Sequence, residues 1–183
     1  MPALTLYAIG PRLHRYAVDP ETGELTHAES VKLPGNGQYA VFHPGGNCLY
    51  VAVGKPPQPL SLLAFAIDLA TGALRPHGDP VSLSARAIHL DIDPAGLHLF
   101  VSLLDPGTVR VVWLDADGRI GAPVGQSEEK RLGVFLHQAR VLPFGEAVLA
   151  CTRGNDAANG KPEEKGALSF LAFRDGALRL AQQ

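Results

Sequence analysis

Apolar and polar residues alternate along short segments of this chain, and the same arrangement of segments occurs three times. The copies read QYAVFHPGGNCLYVAVG, IHLDIDPAGLHLFVSLL and QARVLPFGEAVLACTRG, each with an apolar strand, a turn and a second apolar strand. Alternation over a few residues is typical of a β-strand, and proline or glycine between two such runs indicates a hairpin turn. The pattern therefore predicts a chain built from repeated antiparallel hairpins.

The spacing of these copies predicts the architecture. The turn prolines Pro44, Pro94 and Pro143 lie 50 and 49 residues apart. A second motif keeps the same interval, since DPETGEL (19–25) recurs 49 residues later as DLATGAL (68–74), with looser echoes in DADGRI (115–120) and RDGAL (174–178). A repeat of about 50 residues that holds only short strands is typical of a β-propeller with one four-stranded sheet per blade. Because one blade cannot bury both of its faces, neighbouring blades must stack.

The predicted strands, labelled a to d from the central channel outward, divide the chain into four units. Residues 1–34 supply strands b, c and d of an incomplete blade, and 35–84, 85–132 and 133–183 each form a complete one. No helical periodicity is visible. The segment 154–166, GNDAANGKPEEKG, lengthens the b–c connection of the last blade, and its composition predicts an exposed loop of the kind that often carries function.

The strand count leaves the predicted ring open. A propeller usually closes with about four to eight blades, and here the first blade lacks strand a. Two interpretations remain: the chain is half of a longer propeller, or a second copy completes the ring. In both cases the open ends expose apolar faces and strand edges, so we expect the isolated chain to self-associate or to be poorly soluble.

Bulk properties exclude several partners. The net charge is −2 and the charges are not in blocks, so no nucleic-acid or anionic-membrane surface is expected. The two cysteines lie in different repeats, which favours a reduced, cytoplasmic setting over a disulfide framework. The N-terminus has no secretory pattern, and no apolar run is long enough to cross a bilayer.

Several segments resemble the lactonase family of seven-bladed propellers, which includes propeller-type 6-phosphogluconolactonase and fungal 3-carboxy-cis,cis-muconate cyclase. The motifs that carry the resemblance are YAVDPETGELT, FAIDLATGALRP, FHPGGNCLYVAV, IDPAGLHLFVSL, HQARVLPFGE and TRGNDAANGKPEEKGALSFLAFRDGAL. The resemblance covers nearly all of this chain and about the N-terminal half of a typical member. It implies hydrolysis of a sugar-acid lactone such as 6-phosphogluconolactone, a small-molecule substrate, without a cofactor.

His137 and Arg153 are the predicted catalytic residues. His137 opens strand a of the last blade and Arg153 ends strand b, which places both at one mouth of the channel. A lactonase needs a base to activate water, and a cation to hold the developing oxyanion or an anionic substituent. The histidine that the resemblance implies as catalytic corresponds to His137, although Leu136 precedes it where the family usually has proline. The alternative is a hydrogen-bonded packing histidine beside a solvated arginine.

Four further residues are predicted to line the same channel and bind substrate: Tyr39, His89, Arg140 and Lys55. His89 and Asp91 share a strand face because they are two residues apart. A metal site is not expected there, since ligands from a single strand rarely complete a coordination sphere. Trp113, on strand c of its blade, is predicted to belong to the core.

Two other functions remain open at this stage. A propeller can be a non-catalytic scaffold or sensor, because fold does not dictate function. A muconate-cyclase type of isomerisation would instead use a base and an acid to move a proton. The resemblance also implies site residues from later blades, so the 183-residue chain alone is expected to show little or no lactonase activity.

Overall fold

Every regular element in the computed structural model is a β-strand, within the residues that it describes (4–125, 130–158 and 160–183). The first two units contain β1 (Thr5–Ile9), β2 (Arg12–Val18), β3 (Leu25–Lys32), β4 (Gly37–Phe42), β5 (Cys48–Val53), β6 (Ser61–Ile67), β7 (Leu74–Pro76) and β8 (Val81–Ser82). The third contains β9 (Ala87–Ile92), β10 (His98–Leu103), β11 (Thr108–Leu114) and β12 (Ile120–Pro123). The fourth contains β13 (Leu136–Val141), β14 (Ala147–Thr152), β15 (Gly154–Asn155), β16 (Glu164–Lys165), β17 (Leu168–Arg174) and β18 (Ala177–Gln182).

The strands pair into antiparallel sheets in sequence order. β1–β3 form a three-stranded sheet, β9–β12 and β13–β14–β17–β18 form four-stranded sheets, and β4–β5–β6 carries both β7 and β8 on its outer side. The innermost strands β4, β9 and β13 lie next to one another. The predicted all-β fold of three full blades and three strands of another is confirmed.

Two local features differ from the simple strand pattern. The outer strand of the first full blade, predicted as the single segment ALRPHGDPV, is divided between β7 and β8. Pro76 and Pro80 have no N–H to donate to a ladder, and Gly78 turns the chain with φ = 85° between them. In the last blade, the predicted exposed loop 154–166 contains the two-stranded ribbon β15–β16; its residue Asn159 lies outside the described residues.

The core lies between the blades, and the middle strands are buried on both faces. All six residues of β5 are buried. Leu49, Val51 and Val53 pack with Leu13 against the three-stranded sheet, whereas the intervening residues pack against the next blade. This burial explains why the b strands are almost continuously apolar instead of alternating.

Trp113 corrects the prediction that it belongs to the core. Its neighbours Val112 and Leu114 are buried, but Trp113 remains 43% exposed. The indole packs against His98 with the ring centroids 4.2 Å apart and the ring planes tilted by 43°, and Gly176 of the β17–β18 turn lies beside it. At this outer position, the last blade covers only part of the indole ring of Trp113.

The outward face of the last blade is apolar, which gives the expected self-association a structural basis. Along β17, Leu171 and Phe173 are buried in the inter-blade core, whereas Leu168 and Phe170, on the opposite face, are 60% and 38% exposed. We expect light scattering at micromolar concentration to detect oligomers of the chain. A Leu168→Glu, Phe170→Glu double variant should shift the population toward monomer, and a wild-type chain that stays monomeric would contradict the expectation.

The structure also bears on membrane spans and on the cysteines. In the described part of the chain, no helix is long and apolar enough to cross a membrane. Cys48 and Cys151 are both free thiols, and burial raises the pKa of the Cys48 thiol.

Candidate active site at the channel mouth

The inner strands of the three full blades carry the same β-bulge at the same place. Pairing shifts between Gly37 and Tyr39, between Ala87 and His89, and between Leu136 and Gln138. The extra residues are Gln38, Ile88 and His137. A bulge re-aims its side chain and interrupts the ladder, so His137 is an exposed residue at the entrance to strand β13 instead of a core residue within it.

Arg153 lies at the same end of this blade. Leu136 pairs with Thr152, and the Arg153 N–H donates a 3.0 Å hydrogen bond to the Phe135 carbonyl. The Arg153 guanidinium lies 5.0 Å from the centre of the Phe135 ring, a cation–π contact. Phe135 itself adopts φ = 55°, unusual for a bulky residue. The ring therefore supports Arg153 directly before the bulge that carries His137.

One residue further along each inner strand, side chains from all three full blades meet in a row. The rings of Tyr39 and His89 lie 4.5 Å apart, and Gln138 Nε2 lies 3.2 Å from His89 Nε2. These residues occupy equivalent positions of the repeat, which is why they converge. Tyr39 and His89 are among the predicted residues. The role of Gln138 was missed, although its equivalence to His89 within the repeat was a usable signal.

His89 is buried and electrically neutral near neutral pH. It is only 3% exposed, and burial, followed by the electrostatic influence of Arg140 and His137, lowers its pKa to about 4. With Gln138 as the donor to Nε2, the ring proton lies on Nδ1. That nitrogen is buried and has no hydrogen-bond partner in the described structure.

Arg140 lies two residues beyond Gln138 on β13 and is held by Asp91. The distance from Arg140 Nε to Asp91 Oδ2 is 3.6 Å, and the same oxygen accepts a 2.8 Å hydrogen bond from the Val141 N–H. The Arg140 side chain is 57% exposed. Part of its charge is thus compensated by a neighbouring blade.

Lys55 lies on the b–c loop of the first full blade. The preceding residue, Gly54, donates its N–H to the Asn36 carbonyl, so this loop is at the end of the blade where strand β4 begins. Among the described residues, the Lys55 ammonium has no hydrogen bond or ion pair. It therefore contacts none of the other predicted site residues in either way.

Two cavities flank the ribbon of the last blade. One, of about 630 Å³, is lined by Arg153 and by ribbon residues that include Asn155 and Glu164. The other, of about 510 Å³, lies against Phe135 and Arg131. Both fall in the size range of small-molecule sites. Arg153 lines the first of these cavities, whereas His137 lines neither of them.

Sequence reasoning also missed Arg86, which immediately precedes strand β9. Its Nε donates a 2.7 Å hydrogen bond to Gln38 Oε1 across the boundary between two blades. Arg86 and Phe135 are equivalent in the repeat, because each comes just before the first paired residue of its inner strand.

Antiparallel sheets that stack through their faces, with their first strands side by side, define a β-propeller. A family model described as Lactonase, 7-bladed beta-propeller matches residues 5–158. The chain belongs to this family.

The relatives agree with this assignment. A 6-phosphogluconolactonase from Pectobacterium atrosepticum is 35% identical over 104 residues, which is 57% of this chain and 30% of that protein. A 6-phosphogluconolactonase from Cronobacter sakazakii is 32% identical over 123 residues, covering 66% of this chain and 35% of its own length. The chain thus spans about a third of these relatives.

Solved structures confirm the fold. A Bacteroides uniformis protein provisionally assigned as a 6-phosphogluconolactonase matches with a TM-score of 0.78 and 17% identity, over 98% of this chain and 50% of that one. A periplasmic gluconolactonase from Pseudomonas aeruginosa matches with a TM-score of 0.61 and 17% identity, over 97% of this chain and 67% of that one.

Proposed function

We propose that this propeller contributes to hydrolysis of a sugar-acid lactone, with 6-phosphogluconolactone as the first substrate to test. The observation that carries the proposal is the exposed His137 on the bulge of β13, at the same end of this blade as Arg153, in a chain of the lactonase family. The names of the relatives support the choice of substrate.

In the proposed reaction, neutral His137 takes a proton from a water molecule as the water oxygen attacks the lactone carbonyl carbon. The carbonyl oxygen becomes an oxyanion, which the Arg153 guanidinium stabilises. When the intermediate collapses, the bond from the carbonyl carbon to the ring oxygen breaks. His137 returns its proton to that leaving oxygen, and the product is the open hydroxy acid. Water is the only co-reactant.

The test is acid release from 6-phosphogluconolactone, compared with its spontaneous hydrolysis. It should be run on the 183-residue chain and on the chain extended with the C-terminal half of the Pectobacterium relative. We expect acceleration in the extended protein and little in the chain alone, because the resemblance implies substrate contacts from further blades. An extended protein that folds and yet fails to exceed the spontaneous rate would overturn the proposal.

A further inference from the structure

We propose that Arg86 is a second anion-binding residue at this mouth and that it binds the phosphate of a phosphorylated lactone. The inference rests on the proposed lactonase function and adds a residue that determines specificity. In this proposal, Arg86 of the second full blade distinguishes a phosphorylated from an unphosphorylated sugar lactone. His137 and Arg153, which act on the lactone carbonyl, belong to the third full blade.

Gln38 holds Arg86 in a defined orientation. The Gln38 Nε2 donates a 3.1 Å hydrogen bond to the Asn36 carbonyl, and its Oε1 accepts the 2.7 Å bond from Arg86 Nε. Both ends of the amide are engaged, so its orientation is determined. Gln38 is the bulge residue of its strand, as His137 is of β13. In the first full blade, the bulge residue Gln38 therefore positions Arg86, a cation of the second full blade.

This arrangement leaves the two Nη groups of Arg86 unoccupied. Only Nε has a hydrogen-bond partner among the described residues, and no carboxylate lies within 4 Å of the guanidinium. Arg15 and Arg140, by contrast, are paired with Glu29 and Asp91. The acid Asp105 follows Leu104, whose N–H donates to the Arg86 carbonyl, but it forms no ion pair with Arg86. Two parallel N–H groups match the oxygens of a phosphate.

The position of Arg86 suits a substrate with two separated charges. Arg86 directly precedes the inner strand β9. Arg153 follows β14 and contacts Phe135, which directly precedes the inner strand β13, so the two arginines lie at the same end of neighbouring blades. In a lactone phosphorylated at the far end of the sugar, several covalent bonds separate the phosphate from the reacting carbonyl. Because one cation cannot contact both groups, we assign the reacting carbonyl to Arg153 and the phosphate to Arg86.

The test is binding of 6-phosphogluconate and of gluconate to the full 183-residue chain, measured by calorimetry. We expect the wild-type chain to bind the phosphorylated acid at least about 10-fold more tightly, because a charge-assisted hydrogen-bonded pair has this order of effect. Arg86→Ala should abolish that preference and leave gluconate binding unchanged. Gln38→Ala should weaken the preference by releasing the guanidinium. Arg75→Ala, which removes an exposed arginine of the outer strand β7, is the matched control.

Arg86→Lys keeps the charge without the two parallel donors and should retain only part of the preference. Thermal unfolding of each variant shows whether it is folded. A wild-type chain without preference for the phosphorylated acid would overturn the assignment, as would a folded Arg86→Ala variant that keeps it. Failure of the lactonase proposal would look different. The calorimetry would still show a preference for the phosphorylated acid that depends on Arg86, but the hydrolysis assay would show no activity that depends on His137.

Discussion

His137→Ala should reduce the lactonase rate of the extended, seven-bladed protein by about 10²- to 10⁴-fold, the usual cost of removing a general base. His137 is the exposed residue of the bulge in β13, and its imidazole is the proposed general base. Without it, water must attack the carbonyl unassisted, and the leaving oxygen has no proton donor. The measurement is the turnover of 6-phosphogluconolactone above the spontaneous background.

Ile88→Ala is the matched control, since Ile88 is the equivalent bulge residue of the second full blade and carries no polar group. It should leave turnover close to that of the parent. Because the proposed mechanism assigns Arg153 to the oxyanion, Arg153→Ala should mainly lower kcat. Added imidazole should restore part of the activity of His137→Ala, an effect that a merely structural histidine would not show. Full activity of His137→Ala would refute the assignment of the base.

Acid should destabilise the 183-residue chain between about pH 6.5 and pH 4 in a way that depends on His89. The His89 pKa is about 4 in the folded protein and 6.5 in a free histidine. In this interval the unfolded chain binds a proton that the folded chain does not, so stability is complete above pH 6.5 and is lost as pH falls toward 4. The expected loss in the free energy of unfolding is on the order of 2 to 3 kcal/mol.

Urea unfolding at a series of pH values measures this loss. His89→Gln removes the titrating group, so its free energy of unfolding should depend less on pH across the interval, even if the lost Tyr39 contact lowers its stability at every pH. The exposed His27 offers a control, because His27→Gln should keep the wild-type pH dependence. Equal acid sensitivity of His89→Gln and the wild-type chain would show that His89 is not the buried base responsible.

The architecture of the blades was predictable because it follows from local periodicity. The interval between Pro44, Pro94 and Pro143 sets the repeat, and the continuous apolar run of β5 reflects burial on both faces. The break between β7 and β8 was also available from the sequence, since Pro76 and Pro80 cannot take part in a regular ladder.

The site was only partly predictable because its contacts cross blade boundaries. His89 and Tyr39 were predicted from their polar or aromatic character on inner strands, and His137 from its place at the start of an inner strand together with the family resemblance. The hydrogen bond of Gln38 with Arg86 and the contact of Gln138 with His89 join residues 48 and 49 positions apart in the chain. A glutamine or an arginine in a sequence does not indicate which residue of another blade its side chain will contact.

The amino-acid sequence by itself therefore determined the repeat, the strands and the end of the blade where polar groups gather, because alternation and turn residues act over a few positions. Only the tertiary structure decided which side chains meet. Stacking of the blades sets the distance between the inner strands. It also buries His89, which lowers the pKa of this histidine and favours its neutral form. It also leaves Trp113 at a partly covered edge. The bulge, a shift of one residue in strand pairing, leaves His137 exposed, and such a shift depends on the partner strand as well as on the residue itself.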